Sequence, residues 1–340
     1  MTHRTWMARA LVVAAAAAAG SSAIACNAGP AKESATQPNS WKAPRTSWGH
    51  PDLQGLWSNA TTTPLERPAA LKDKVVLSDQ EFAQTDAATA KSRNTDQAPR
   101  AGDPGTYNEF WWERGNLLKQ TSLIVDPTDG RVPPLTPEGK RRVEVLTQSR
   151  QGRGPSDSWE DRNLHERCIL YHGVPPLPTG YNNNYQIAQT PDFVAIRSEM
   201  LSETRLIPLD GRPHLQPGVR QWMGDPRGHW EGDTLVVEST NFTSAAGGLY
   251  ELGSVAHLLG TGETLRIVER FTRVNKDTID YRFTVEDPSM FTQPWTGAIP
   301  MTTFEGPIYE YACHEGNYAL EGMLKGARLD EQTARPRSKK

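Results

Sequence analysis

The chain has 340 residues, a net charge of −3, and 40 acidic against 37 basic side chains interspersed along its length. That balance excludes a nucleic-acid binder, which concentrates basic charge in one footprint. At 36% apolar residues and beyond the usual domain size, the chain is long enough to bury a sizeable core.

Residues 1–25 read as a secretory signal: the basic MTHRTWMARA, the apolar LVVAAAAAAG, then SSAIA. The apolar run is far shorter than the roughly 20 residues that span a bilayer. Ala23-Ile24-Ala25 followed by Cys26 resembles a bacterial lipobox, with Ala23 where such signals more often carry Leu. The expectation is an exported protein, lipidated at Cys26 and resident in the periplasm or outer membrane, with simple cleavage and release as the alternative. It would touch the membrane through its lipid anchor only. Residues 26–50, rich in Ala, Pro, Ser, Asn and Lys, read as a flexible tether.

Residues 51–160 are irregular and are expected to pack on the rest. DLQGLWSN at 53–60 suggests a short strand, and Gly55-x-Trp57 resembles the opening motif of lipocalins, in which an aromatic plugs one barrel end. Ser78 followed by Glu81 is a capping-box signature for a helix over 78–93, and Thr136-Pro137-Glu138 starts another to about 150. SLIVDPTDGR at 122–131 reads as a strand closed by a turn, and 95–106 and 151–158 as exposed loops.

From about 181 the period changes to two. In DTIDYRFTVED, Ile279, Tyr281, Phe283 and Val285 share one face, and ETLRIVERFTRV precedes it across Asn275-Lys276-Asp277 as a hairpin. Further strands are expected at 183–190, 192–200, 204–209, 228–231, 234–242, 296–303 and 307–314. Consecutive antiparallel strands must hide their edges, and closure does so completely. The predicted fold is therefore mainly β: an antiparallel up-and-down barrel or strongly curved, lipocalin-like sheet over 161–328, with a sandwich as the alternative. The basic end of the chain, 329–340, is expected to be a disordered tail.

With Cys26 assigned to lipid, Cys168 and Cys313 are the remaining cysteines, and outside the cytoplasm such a pair is expected to be oxidised. The loop so closed exceeds a hundred residues, for which the chain-entropy model gives on the order of 4 kcal/mol.

YNNNYQI (181–187), RLIPLDGRPH (205–214), HWEGDTLVVESTNF (229–242) and YACHEGNY (311–318) resemble a family of uncharacterised exported proteins of Acidobacteria and Proteobacteria. The resemblance implies a secreted β-rich fold and names no reaction.

Candidate chemistry centres on YEYACHEGNY at 309–318. In an extended strand Glu310 and His314 share a side, and a Cys168–Cys313 bridge would draw HERCILYH (165–172) alongside, gathering His165, Glu166, His172, His314 and Glu315. A His beside a carboxylate suits general base catalysis. His314 is the expected base, Glu315 or Glu310 its orienter, and Tyr185 a further catalytic donor. Asn183, Tyr181, Arg205, His214, Tyr318, Asn317, His165 and His172 are the expected substrate-binding residues, with Tyr181, Asn183 and Tyr185 alternating onto one strand face. The duller account of Arg205 is a salt bridge to Glu203 or Glu199. No cofactor or metal is predicted; His165, His172 and His314 would supply nitrogens for zinc or iron but lack a diagnostic spacing. There is no G-x-S-x-G and no glycine-rich phosphate loop after residue 26. The functional expectation is a protein that binds a small aromatic or glycosidic molecule and transforms it by acid–base chemistry as an isomerase, lyase or hydrolase. The alternative is a non-catalytic lipocalin-like carrier or envelope-assembly lipoprotein.

Overall fold

The computed structural model describes residues 41–71, 74–94, 96, 108–243 and 263–333. The signal sequence, Cys26, the tether up to residue 40, most of the 95–106 loop and the tail beyond 333 lie outside the described residues.

Ten strands form one antiparallel sheet among the described residues. They are β1 (Gly55–Ser58), β2 (Ile124–Asp126), β3 (Asn184–Gln189), β4 (Phe193–Ser198), β5 (Thr204–Pro208), β6 (Asp225–Glu231), β7 (Thr234–Thr240), β8 (Arg266–Asn275), β9 (Thr278–Glu286) and β10 (Trp295–Thr303). The hydrogen-bonded order is β5-β4-β3-β1-β10-β9-β8-β7-β6, with β2 pairing β10 beside that path. Eight of these strands, β3–β5 and β6–β10, meander with their chain neighbours, and β1 is inserted between β3 and β10, Trp57 pairing with both Tyr185 and Thr303.

The sheet curls until its two end strands, β5 and β6, lie against each other, giving a nearly closed barrel. Each end strand carries a proline, Pro208 and Pro226, where a missing N–H is tolerated because that edge has no ladder partner. Side chains close the seam: a Cβ on Gly228 would fall 2.7 Å from Ile207 and 2.8 Å from Leu209, so glycine lets β6 come this near β5. An edge covered in this way is no template for aggregation.

The period-two reading of β9 holds: Ile279, Tyr281, Phe283 and Val285 are all fully buried. Phe271 lies opposite Tyr281 with ring centroids 4.7 Å apart, and Trp295 meets Phe283 edge to face at 5.7 Å. Trp57 is buried in the same core, its indole N–H donating to the Leu53 carbonyl at 2.9 Å, with the Arg273 guanidinium 5.2 Å from its ring.

The barrel also encloses a charge pair. Arg205 on β5 reaches Glu269 on β8 through two hydrogen bonds, one of 2.9 Å, and the Tyr281 hydroxyl donates to the same carboxylate at 2.9 Å. Arg205 is thus a buried residue bonded to a carboxylate of β8, a partner that the expectation of Glu203 or Glu199 did not include. Its partner is 64 residues away.

Helices α1 (Asp79–Arg93) and α2 (Pro137–Ser149) start at the expected caps, Ser78 with the reciprocal Glu81 bond and Thr136 with Pro137 at the first turn. Three local expectations are corrected. Residues 304–317 carry no strand, because Gly306-Pro307 and Gly316 interrupt any ladder there, and a third helix, α3 (Tyr318–Thr333), follows. Leu320, Met323, Leu324 and Ala327 are its half-buried stripe at helical spacing, so residues up to 333 are helical and not a tail. Residues 41–50, placed by composition in the tether, are ordered against the barrel: Ala43 is buried, Arg45 bridges to Pro51 and its side chain pairs with Asp233. Trp41–Lys340 forms one compact unit.

Candidate ligand-binding cleft

The loop from 163 to 183 decides what the barrel presents at one end. Cys168 and Cys313 are disulfide-bonded, with Cα atoms 5.7 Å apart. The bridge holds the 309–317 segment on this loop, and Asn317 adds bonds to the Glu166 carbonyl at 3.0 Å and to the Cys168 sulfur at 3.2 Å. His165 Nε2 lies 3.0 Å from the Tyr311 hydroxyl, and its ring meets Tyr171 at 4.2 Å.

Next along, His172 is buried, and burial pushes its pKa down to about 4, so the ring is neutral above that. A neutral imidazole has one N–H. Its Nε2 faces the Asn182 carbonyl at 3.2 Å, and its Nδ1 lies 3.2 Å from the Leu177 carbonyl and 3.0 Å from the Tyr185 hydroxyl, so the N–H donates to one of the two carbonyls. Glu203 closes the cluster from the strand side, accepting the backbone N–H of Tyr171 and of Gly173. Burial raises its pKa to about 7, against those hydrogen bonds. His172, Tyr185, Glu203, Arg205 and the buried Ser198 hydroxyl line a chamber of about 20 Å³, room for a water molecule and not for a substrate.

Tyr171 carries this cluster to the surface, where its ring forms one wall of a cleft of about 320 Å³. The opposite wall is Thr61–Leu65, the segment that leaves β1 and runs beside 116–118. Thr61 donates to the Asn116 carbonyl at 2.6 Å, and Thr63 accepts the Leu118 N–H at 2.7 Å. The floor is Leu123 and Leu177–Gly180, and Arg93 and Arg114 stand at one end. A second cleft of about 360 Å³ adjoins it, sharing Thr62, Arg93 and Arg114.

The residues expected to make the site fall in three places. His165, His172 and Tyr185 come together at this end of the barrel. Tyr181 sits over Trp112 (5.8 Å), and Asn183 braces the loop, its amide bonding Thr179 O at 2.9 Å and Glu113 O at 3.3 Å while accepting Thr179 N–H at 2.7 Å. β3 begins at Asn184, so Tyr181 and Asn183 are loop residues and do not share a strand face with Tyr185. His314, Glu315, Glu310 and Tyr318 are exposed and line neither cleft, because the strand that would have aimed them inward is absent. His214 lies between Asp225 and Glu238, at 3.1 and 3.2 Å. Among the described residues no group of three or more His, Cys, Asp or Glu is arranged to hold a metal, and His165, His172 and His314 do not converge.

Sequence reasoning missed Thr61–Thr63, Arg93, Arg114, Tyr171 and Glu203. Only Tyr171 had a usable signal, through its place beside His172 on the bridged segment.

Two desolvated groups, half-buried Glu203 and buried His172, set a pH dependence. Glu203 keeps a proton in the fold that the unfolded chain releases, so its contribution to stability falls as pH rises from 4.5 to about 7. His172 refuses a proton that the unfolded chain takes, so its contribution rises between pH 4 and 6.5. Glu203→Gln removes the falling contribution. Its stability relative to wild type is expected to climb across pH 4.5–7 by at most about 1.4 kcal/mol per unit, measured by urea unfolding. A pH-independent difference would contradict the assignment.

No family model, curated protein or solved structure matches the chain.

Proposed function

We propose that this protein is exported, anchored by lipid at Cys26, and binds a small organic molecule, aromatic or glycosidic in class, in the cleft between residues 61–65 and 177–180. One observation carries the binding reading: a concave cleft of about 320 Å³ with polar and apolar walls at one end of a barrel. Small-molecule sites occupy roughly 300–1,000 Å³ and favour barrel mouths. Export and anchoring rest on the sequence of residues 1–26 alone.

A second reading, acid–base transformation of the bound molecule, is favoured by Glu203. This carboxyl, held near pKa 7, bonds the backbone of the residue whose ring lines the cleft. Groups so tuned suit proton transfer near neutral pH. The base role moves from His314 to Glu203 on this account, with the His172–Tyr185 pair beside it. Without turnover, the same cleft serves a carrier.

The test uses Thr62→Trp, which fills the junction of the two clefts from a half-buried position. Fluorescence titration with a panel of aromatic and glycosidic compounds is expected to give binding by wild type and at least about tenfold weaker binding by the variant, a loss of roughly 1.4 kcal/mol, at an unchanged melting temperature. Equal affinities would remove the cleft from the account.

A further inference from the structure

The two clefts meet at Arg93, Arg114 and Thr62, and the two arginines there differ in their partners. Arg114 is satisfied. Its Nε donates to Glu109 at 3.0 Å, its Nη2 to the Arg93 carbonyl at 2.8 Å, and its guanidinium lies 4.2 Å from the centre of the Trp112 ring. Arg93, the last residue of α1, has no ion pair among the described residues, and Asp86, which lines the adjoining cleft, does not reach it. Glu109 thus serves Arg114 and leaves Arg93 without an ion pair among the described residues. Although Arg93 is exposed as a residue, partial desolvation of its guanidinium and then the neighbouring Arg114 charge lower its pKa. Beside them the Thr62 hydroxyl is buried with no hydrogen-bond partner among the described residues. Leu65, Leu177, Pro178 and Tyr171 give the cleft an apolar part of its lining.

A cation and an unused hydroxyl where two clefts meet, with apolar side chains in the same lining, are complementary to one chemical class. Resting on the cleft reading above, we propose that the ligand is a small organic acid, its carboxylate held by the Arg93 fork and the Thr62 hydroxyl, its aromatic or alicyclic body against Leu65, Leu177 and Tyr171. A guanidinium recognises a carboxylate through paired, charge-assisted hydrogen bonds, which a neutral ester cannot reproduce. The apolar part of the lining then selects acids with a ring over short polar ones.

The experiment titrates the purified full chain calorimetrically with phenylacetate, 4-hydroxybenzoate and cinnamate, each against its methyl ester, for wild type, Arg93→Gln and Arg93→Lys. At least one acid is expected to bind wild type and to lose roughly tenfold to a hundredfold in Arg93→Gln, the range for a hydrogen bond to a charged group. Arg93→Lys is expected to fall between, and the ester to bind weakly and alike in all three. Arg93 is exposed at a helix end, so melting curves should coincide. Esters binding as tightly as acids, or acids binding Arg93→Gln unchanged, would overturn the anion site and leave the cleft standing. Absence of binding by every acid and ester would overturn both.

Discussion

Glu269→Leu alone is expected to destabilise the protein by roughly 3–5 kcal/mol, the usual cost of removing one member of a buried ion pair. Glu269 is fully buried and Arg205 is 7% exposed, so the substitution leaves a guanidinium inside the barrel without its carboxylate and the Tyr281 hydroxyl without its acceptor. Coulomb attraction in the interior is strong, but the desolvation of both ions opposes it, and which wins decides the value of the pair. Replacing both ions with apolar side chains of similar volume is often neutral or stabilising. Arg205→Met with Glu269→Leu is therefore expected to recover most of the loss, and adding Tyr281→Phe the remainder. Urea midpoints at constant slope measure all three. Equal loss in the single and double variants would show that the pair is net stabilising and not simply costly to break.

Replacing both Cys168 and Cys313 by Ser is expected to cost roughly 2–5 kcal/mol. The bridge spans 145 residues, and a loop of that length is the case in which the chain-entropy account gives its larger values. Losing the bridge also frees the 309–317 segment, which otherwise keeps only contacts such as Asn317 to Glu166 and Tyr311 to His165. Because His165 packs on Tyr171 and Tyr171 forms a cleft wall, ligand affinity should fall together with stability. Thermal unfolding and limited proteolysis of the 304–333 region read the two effects. Unchanged melting in the double variant would contradict them.

How far the sequence carries depends on the range of the interaction. The alternation of Ile279, Tyr281, Phe283 and Val285 is a property of eight consecutive residues, and the Ser78–Glu81 cap of four; both are legible and both are found. The bridge is long-range, joining residues 145 apart, and is reached by counting cysteines on the expectation that Cys26 carries lipid. The insertion of β1 between β3 and β10 is not legible, because Trp57 chooses partners 128 and 246 residues away through barrel closure and not through any local pattern. Arg205 meeting Glu269 across the barrel is hidden likewise. The tyrosines, glutamates and histidine of 309–318 misled in a different way. Their alternation looks like a strand, but Gly306-Pro307 and Gly316 bound it, and no neighbouring strand offers a ladder. α3 was available in the spacing of Leu320, Met323, Leu324 and Ala327, masked by Gly322 and Gly326, which lower its helix propensity. The cleft itself joins residues 61–65, 93, 114, 171 and 177–180. No stretch of sequence announces such a set.

The claim that function resides in this cleft, and not at the histidine of the 309–318 segment, is tested most directly by titrating Thr62→Trp and His314→Ala side by side with whichever compound binds wild type. The account predicts that Thr62→Trp loses at least about tenfold in affinity while His314→Ala binds as wild type does. Retained binding in Thr62→Trp with loss in His314→Ala would contradict it and return the site to the exposed segment.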